Sequence, residues 1–274
     1  MRQMKKNLPQ FKNTALTVTL LFLFLIQPGY GQAGQAEDKG LAIAIKADRR
    51  DSGFGNSTAN MLMILRNKHG RESRRKIRYR VLEVENDGDM SLTIFDSPKD
   101  VKGTAFLNYT HKVGDDNQWL YLPALKRVKR ISSSNKSGSF MGSEFAYEDI
   151  ASQEVEKYTY IWLRDEPYDN RECFVVERYP VDKKNSGYIR QVAWIDMAEY
   201  RSWKVEYFDR KNTHLKTLTI KDYHQYNDRF WRPDIMFMVN HQTGKSTELQ
   251  FSNYLFKVGL GPDDFNKNSL KRAK

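Results

Sequence analysis

Apolar and polar residues alternate along much of the chain after residue 57. Apolar residues alternate with Arg at 77–81, with Lys and Glu at 203–207, and with Glu, Gln and Ser at 248–252. A period of two places the apolar side chains on one face of a strand and the polar ones on the other. The pattern predicts half-buried antiparallel strands, preceded by a short helix at 41–48 that ends in a Gly-containing loop at 50–55.

Turn-forming clusters separate these strands at regular intervals, for example Asn-Asp-Gly at 86–88 and Asn-Ser-Gly at 185–187. This spacing indicates a mainly β domain with a meandering sheet of about eleven strands. A sheet of that size must curl or close to hide its apolar face. The strands at 61–65 and 235–239 are apolar on both faces, so we expect one face to meet the interior and the other a helix or lid.

The first 33 residues have the order of a secretory signal peptide. Four basic residues precede a 12-residue apolar run at 15–26, and small or helix-breaking residues follow. The run is shorter than the ~20 residues that a membrane-spanning helix needs. We predict cleavage after Ala33, with Ala36 as the alternative, and a single mature domain at 34–274. An uncleaved anchor is the other reading.

Charge and cysteine content narrow the class of partner. Removing the four basic residues of the leader lowers the net charge from +11 to +7. Nucleic acid is in practice excluded as a partner of a secreted protein. The remaining anionic partners are membrane surfaces, lipid headgroups and acidic protein patches. The single cysteine, Cys173, cannot form an intrachain disulfide and is predicted to be a small buried residue.

No pattern of catalytic or metal-binding residues is present. The five histidines form neither a His-x-x-x-His nor a His-x-His pair, and one cysteine cannot build a zinc cluster. The chain has neither a Gly-x-Ser-x-Gly elbow nor a phosphate-binding glycine loop. We therefore predict no enzymatic activity, no catalytic residues, no metal and no cofactor.

Two basic runs and a concentration of aromatic residues remain. Residues 71–80 hold six basic residues against one Glu, and residues 126–130 hold four. Such residues protect a solvated sheet from edge pairing, or they dock phosphate headgroups or an acidic partner. The aromatic residues between 95 and 147 are expected on one concave surface, either a packed core or an acyl-chain cavity.

The most specific motif lies at 119–149. It reads Trp-Leu-Tyr-Leu-Pro-Ala-Leu-Lys-Arg-Val-Lys-Arg-Ile at 119–131, Ser-Phe-Met-Gly-Ser at 139–143 and Tyr-Glu-Asp at 147–149, after Phe-x-x-Pro-x-Asp-Val-Lys-Gly-Thr-Ala-Phe-Leu at 95–107. In this order the residues resemble the outer-membrane lipoprotein-sorting protein family, the larger LolA-like group of periplasmic proteins, over nearly all of 41–271.

The resemblance implies a half-open antiparallel β-barrel with a short helical lid over a hydrophobic cavity. It also implies a periplasmic, non-catalytic carrier of lipid or of the acyl chain of a lipoprotein. The carrier would work beside an inner-membrane exporter of the resistance-nodulation-division type and touch the membrane surface transiently. The chain is longer than the short lipoprotein carrier and has a distinct central motif, which leaves the cargo open.

Two sets of site residues are expected on this basis. The cavity lining is predicted to comprise Met61, Met63, Leu65, Phe95, Leu107, Trp119 and Tyr121. The motif residues expected at an interface are Arg127, Arg130, Phe140, Met141, Tyr147 and Asp149. Alternatively, Tyr147 and Asp149 pin the adjacent loop, and Arg130 pairs with Asp149.

Two other functions compete with the carrier. The same barrel would serve as an interaction or sensory module that docks a membrane partner through its basic runs and carries no cargo. An enzyme acting on lipid would need a cleft carboxylate of strongly raised pKa beside a second polar group, which we do not expect.

Overall fold

The computed structural model describes the backbone of residues 30–272 and the side chains from residue 34 onward. Most of the predicted leader, residues 1–29, lies outside this range. The helices are α1 (Tyr30–Asp51), α2 (Tyr147–Ile150) and α3 (Lys267–Arg272). The strands are β1 (Asn56–Arg66), β2 (Glu72–Leu82), β3 (Met90–Ser97), β4 (Ala105–Tyr109), β5 (Asn117–Leu122), β6 (Arg127–Ile131), β7 (Tyr158–Tyr168), β8 (Arg171–Pro180), β9 (Tyr188–Asp196), β10 (Ser202–Asp209), β11 (His214–Tyr226), β12 (Phe230–Asn240) and β13 (Ser246–Phe256).

The strands form one antiparallel sheet in the order β6-β5-β4-β3-β2-β1-β13-β12-β11-β10-β9-β8-β7. The pairing of β1 with β13 joins the two halves of the meander, and the sheet is not closed because β6 and β7 do not pair. The mainly β prediction is confirmed, but the expected number of eleven strands is wrong. β4 and β6 have only five residues each, and an alternation of apolar and polar residues is hard to recognise over so few positions.

The inner face of the sheet carries the main core. Across four neighbouring strands Phe251 lies opposite Met61, Met61 opposite Ile77, and Ile77 opposite Phe95. These side chains belong to one cluster that also includes residues of β8–β12. The two halves of the sheet therefore curve around a common interior.

The outer face of β3–β5 is covered by the C-terminal segment. Phe265 and Leu270 are fully buried there, against Leu92, Ile94 and Leu107. Burying an apolar side chain of this size contributes about 1.5–3 kcal/mol. Because β4 is consequently buried on both faces, its sequence lacks the alternation of the other strands.

Residues 132–157, between β6 and β7, form a plug segment that enters the inner face. Phe140 and Phe145 are 1% exposed there. The Phe140 ring centroid lies 5.2 Å from that of Phe106 and 6.1 Å from that of Phe95. The predicted short helix is instead the 22-residue α1, which lies along β7 and reaches β12. None of the helices in the described part of the chain has the length and apolar character to cross a membrane.

Candidate functional site

A cavity lies inside the curved sheet, beneath the C-terminal half of α1. It consists of two adjoining compartments of about 490 and 550 Å³, which share Phe54, Asp89 and Ser202 in their walls. Both volumes fall in the range of small-molecule sites. The site is therefore a partly open cleft of a size that suits a small molecule.

The first compartment has an apolar floor and a mixed mouth. Its floor is formed by inward-facing strand residues, namely Met61, Ile220, Met236, Leu249 and Phe251. Its mouth combines aromatic side chains with charged side chains of both signs: Tyr200, Tyr223, Trp231, Tyr254, Arg50, Arg201, Arg232, Asp51 and Glu199. Such a wall accepts an apolar chain on one side and a polar group on the other.

The indole of Trp231 marks the polar side of the mouth. Its Nε1 is buried and has no hydrogen-bond partner among the residues that the structure describes. The Arg201 guanidinium lies 4.3 Å from the ring centroid and also donates to Asp196 over 2.8 Å. A buried donor without a partner costs free energy, which an acceptor on a bound molecule would recover.

The lid, α1, is fastened at its C-terminal end by charge. Arg50 pairs with Glu199 in the β9–β10 turn, and Asp51 pairs with Arg232 of β12. Arg229 donates to the Ser52 carbonyl over 2.7 Å. Arg50 and Asp51 are exposed to solvent, although Arg232 is largely buried. Ion pairs exposed to solvent contribute only about 0.2–1 kcal/mol each, so this end of the lid can separate at modest cost.

The other end of the lid lies directly on β7. A Cβ atom at Gly40 would lie 2.7 Å from the Trp162 backbone nitrogen, so only glycine permits this approach. Nearby, the Lys39 ammonium sits 3.4 Å from the Trp162 ring centroid and 3.6 Å from an Asp165 carboxylate oxygen. Ile43, 5% exposed, belongs to the main core. The lid is therefore anchored along β7 and only lightly fastened at β12.

The second compartment has carboxylates from both the lid and the sheet. Burial, followed by repulsion from Glu154, Glu83 and Asp51, raises the pKa of Asp89 to about 7. Burial also raises the pKa of Glu154 and of Asp48 on the lid. The expectation that the cleft holds no carboxylate of strongly raised pKa is therefore wrong. Among the described residues no group of three His, Cys, Asp or Glu is arranged to hold a metal ion.

Asp149 fixes the plug segment to the wall of the sheet. Its carboxylate pairs with the Lys216 ammonium at 2.7 Å and accepts from the Tyr188 hydroxyl at 2.9 Å and from the Ala146 backbone N–H at 2.7 Å. The Asp149 and Lys216 side chains are only 5% and 4% exposed. The Lys216 ammonium also donates to the Glu144 carbonyl over 2.8 Å, so the plug is bound at two points.

Comparisons with known proteins identify the family. A family model described as "-like: Uncharacterized protein" matches residues 87–272. No curated protein is significantly similar. A crystal structure named "putative outer membrane lipoprotein-sorting protein domain", from Vibrio parahaemolyticus, is 59% identical, covers 86% of this chain and 100% of its own, and has a TM-score of 0.85. The chain belongs to this family of outer-membrane lipoprotein-sorting proteins.

Two further structures support the assignment. A DUF1329 family protein from Desulfovibrio piger is 30% identical, with a TM-score of 0.81, over 86% of this chain and 99% of its own. A LolA superfamily protein from Nitrosomonas europaea is 22% identical, with a TM-score of 0.67, over 84% and 98%, and shows the shared fold. The fold of this lipoprotein-sorting family member is thus LolA-like.

Four of the seven predicted cavity residues face the interior. Met61 lines the first compartment, Met63 and Phe95 belong to the core beside it, and Leu65 packs against that core. Whether any of them contacts a ligand stays a prediction.

The other three predicted cavity residues lie on the opposite face. Leu107, Trp119 and Tyr121 pack in the outer cluster with α3, so they do not line this cavity. The cause is strand parity, since a shift of one residue moves a whole strand's set to the other face.

The motif residues separate into two groups. Arg127 and Arg130 are exposed on the edge strand β6, and Arg130 donates to Asn117 over 2.8 Å and does not pair with Asp149. Phe140, Tyr147 and Asp149 pack within the plug, and the Met141 carbonyl accepts from Arg75 over 2.5 Å. The buried Phe140 and Asp149 cannot form a docking surface with the two arginines.

Several residues of the site were not predicted from the sequence, namely the mouth residues of β10–β13 and the charged residues of α1. The apolar strand at 235–239 was the available signal, since Met236 on its inner face lines the cavity. The outer-face residues Ile235, Phe237 and Val239 are only half-buried, unlike the covered face that was expected. The contacts of α1 leave no local pattern, because its partners are more than 100 residues away.

Proposed function

We propose that this family member is a non-catalytic periplasmic carrier of lipid or of acylated, lipoprotein-type molecules. The observation that supports this most is the covered cavity, with an apolar floor of Met61, Ile220, Met236 and Leu249 and a polar mouth. Acyl chains would lie on the floor and a headgroup or linker would lie at the mouth. Each methylene removed from water contributes about 0.8 kcal/mol.

The mechanism needs no covalent step. The lid would detach first at its C-terminal end, where the Asp51–Arg232 and Arg50–Glu199 ion pairs hold it. Gly40 keeps its other end against β7. Separation of Asp51 from Arg232 would widen the mouth and give a chain access to the floor. The direction of transfer would follow from the different affinities of a donor and an acceptor for the same cargo, with an inner-membrane exporter as one partner.

The raised pKa of Asp89 does not require catalysis. Burial of the Asp89 carboxyl, together with repulsion from the carboxylates of Glu154, Glu83 and Asp51, accounts for the shift of its pKa. The Val84 backbone N–H donates to it, and no nucleophilic side chain is among the causes of its shift. Burial, together with the neighbouring carboxylates, therefore accounts for the raised pKa of Asp89.

Two adjacent residues of β12 provide a matched test. Met236 faces the cavity and Phe237 lies on the outer face, opposite Glu248 and Thr219. Uptake of a fluorescent phospholipid from vesicles is measured for Met236→Gln and Phe237→Gln. An amide on the floor costs about 1–3 kcal/mol, so Met236→Gln should weaken uptake about tenfold. Phe237→Gln should leave uptake unchanged.

The result separates the carrier from a cargo-free module. Equal lipid uptake by the two variants would show that the lipid does not bind in the cavity. If the unchanged protein takes up no lipid at all, the fold serves instead as an interaction or sensory module that docks a membrane partner.

A further inference from the structure

Positive charge accumulates in alternate turns of the sheet. Because β1–β6 form an antiparallel meander, the β1–β2, β3–β4 and β5–β6 turns lie at the same end. We define the basic turn surface as the six exposed cations of these turns and their borders: Lys68, Arg71, Lys99, Lys102, Lys126 and Arg127. With strands spaced about 4.8 Å apart, the three turns span roughly 20 Å.

The charges of this surface are not neutralised within the described part of the chain. None of the six cations forms a salt bridge there, whereas the cations on the neighbouring strands do: Arg66 and Arg74 pair with Glu72, at 2.8 and 2.9 Å. Within the three turns the only carboxylate is Asp100, which has no salt bridge. The surface therefore has a strong net positive charge.

The intervening turns at the opposite end are acidic. Residues 83–89 contain Glu83, Glu85, Asp87 and Asp89, and the next such turn contains Asp115 and Asp116. The cavity mouth lies at this acidic end, because its walls include the start of β1, the end of β2 and the start of β12. The two ends of this half of the sheet thus differ in charge, and the mouth is at the end that carries the carboxylates.

An exposed apolar side chain lies at the sheet-edge end of the basic turn surface. Leu125 is 62% exposed in the β5–β6 turn, directly before Lys126 and Arg127. Cations without salt-bridge partners in the described part of the chain, with one exposed leucine beside two of them, suit a diffuse layer of negative charge above an apolar interior. A protein partner would instead favour ion pairs of defined geometry.

We propose that the basic turn surface docks the chain on a bilayer of anionic phospholipid. The cations contact the headgroup phosphates, Leu125 enters the interface, and the cavity mouth points away from that bilayer. A second partner then has access to the mouth while the chain stays on the membrane. The docking is independent of cargo, so it can hold or fail regardless of the carrier proposal.

Sedimentation with vesicles tests the docking. The variant Lys68→Gln/Lys99→Gln/Lys126→Gln removes one cation from each turn. The control Arg49→Gln/Lys257→Gln/Lys271→Gln removes three exposed cations elsewhere, so both variants have the same net charge. Binding to phosphatidylglycerol vesicles is compared with binding to phosphatidylcholine vesicles, with delipidated protein and with thermal unfolding as the check on folding.

Binding to anionic vesicles should weaken about 100-fold in the turn variant at low ionic strength, since each basic residue contributes about fivefold. The control should lose far less, and Leu125→Ser should weaken binding with no change of charge. Equal loss in the two triple variants, or equal binding to the neutral vesicles, would overturn the proposal. So would the absence of vesicle binding together with binding to a soluble acidic protein, which would assign the surface to a protein partner.

Discussion

At the scale of single residues, Asp149 is the side chain on which the plug segment most depends. It is held by a lysine ammonium, a tyrosine hydroxyl and a backbone N–H in a site almost without solvent. A buried charge pair gives little net stability as a pair, but removing one partner leaves the other charge uncompensated. These contacts favour the structural alternative for this motif residue, which also lies in the wall of the first compartment.

We predict that Asp149→Ala lowers the free energy of unfolding by about 3–5 kcal/mol, because it strands the Lys216 ammonium. Urea unfolding followed by circular dichroism measures the loss. The double variant Asp149→Leu/Lys216→Met removes both charges and should recover most of it. A double variant as unstable as Asp149→Ala would show that the ion pair is not the reason.

Asp89 should make stability depend on pH. Its folded pKa of about 7 lies above the value near 4 of an unfolded aspartate. Between these values the folded chain binds the extra proton, so this group's contribution to stability is present at about pH 4 and is lost by about pH 7.

We therefore predict that Asp89→Asn raises the free energy of unfolding more near pH 8 than near pH 5, because the amide is never charged. Thermal unfolding at both pH values measures this difference, and each 1 kcal/mol corresponds to about 2–4 °C. The same gain at both pH values would contradict the shifted pKa.

At the scale of elements, the close contact of α1 with β7 is decisive for the lid. The Gly40 position has no room for a side chain because the backbone of Ile161 and Trp162 lies within 3 Å of its Cβ direction. Any larger residue must lift the helix or shift the edge strand. The glycine thus sets how closely the lid covers the cavity.

We predict that Gly40→Leu lowers the free energy of unfolding by about 1–3 kcal/mol through overpacking and speeds lipid exchange. Ala42→Leu, at an exposed position of the same helix, is the control for helix propensity. Stopped-flow transfer of a fluorescent lipid and thermal unfolding are measured for both. If the two variants behave alike, the packing of α1 on β7 does not control the lid.

The strands also show how far the sequence determines the site. The alternation in β2 correctly placed Ile77 on the inner face. The segment 61–65 of β1 is apolar on both faces, so no alternation identified Met61 as an inner residue. In β4 the C-terminal segment covers the outer face, so both faces are apolar and parity is invisible, which is why Leu107 was misplaced. Trp119 and Tyr121 share this cover, and an aromatic residue packs equally well on either face.

At the scale of the whole molecule, the features that the sequence did not predict are contacts between segments far apart in the chain. The pairing of β1 with β13, the crossing of α1 from β7 to β12 and the entry of the plug join segments far apart in sequence. No local sequence pattern indicates such contacts. The many strands with an apolar face predict only that the sheet curves around a buried interior. The residues alone left a packed core and an acyl-chain cavity as alternatives, and the family resemblance favoured the cavity with a helical lid.

The two ends of the β1–β6 half of the sheet differ in charge, and the cavity mouth opens at only one of them. One end of β1–β6 carries the basic turn surface, and the other carries carboxylates and the cavity mouth. A carrier organised in this way would bind the membrane through the basic turn surface and receive cargo through the cavity mouth. Its central requirement is that the cavity beneath α1 holds lipid.

The most direct test of that requirement is native mass spectrometry of the mature protein purified from the periplasm, followed by lipid extraction. The carrier account predicts a lipid or lipoprotein acyl group bound at close to one per chain, released when the protein unfolds. An empty protein that also takes up no lipid from vesicles would contradict it.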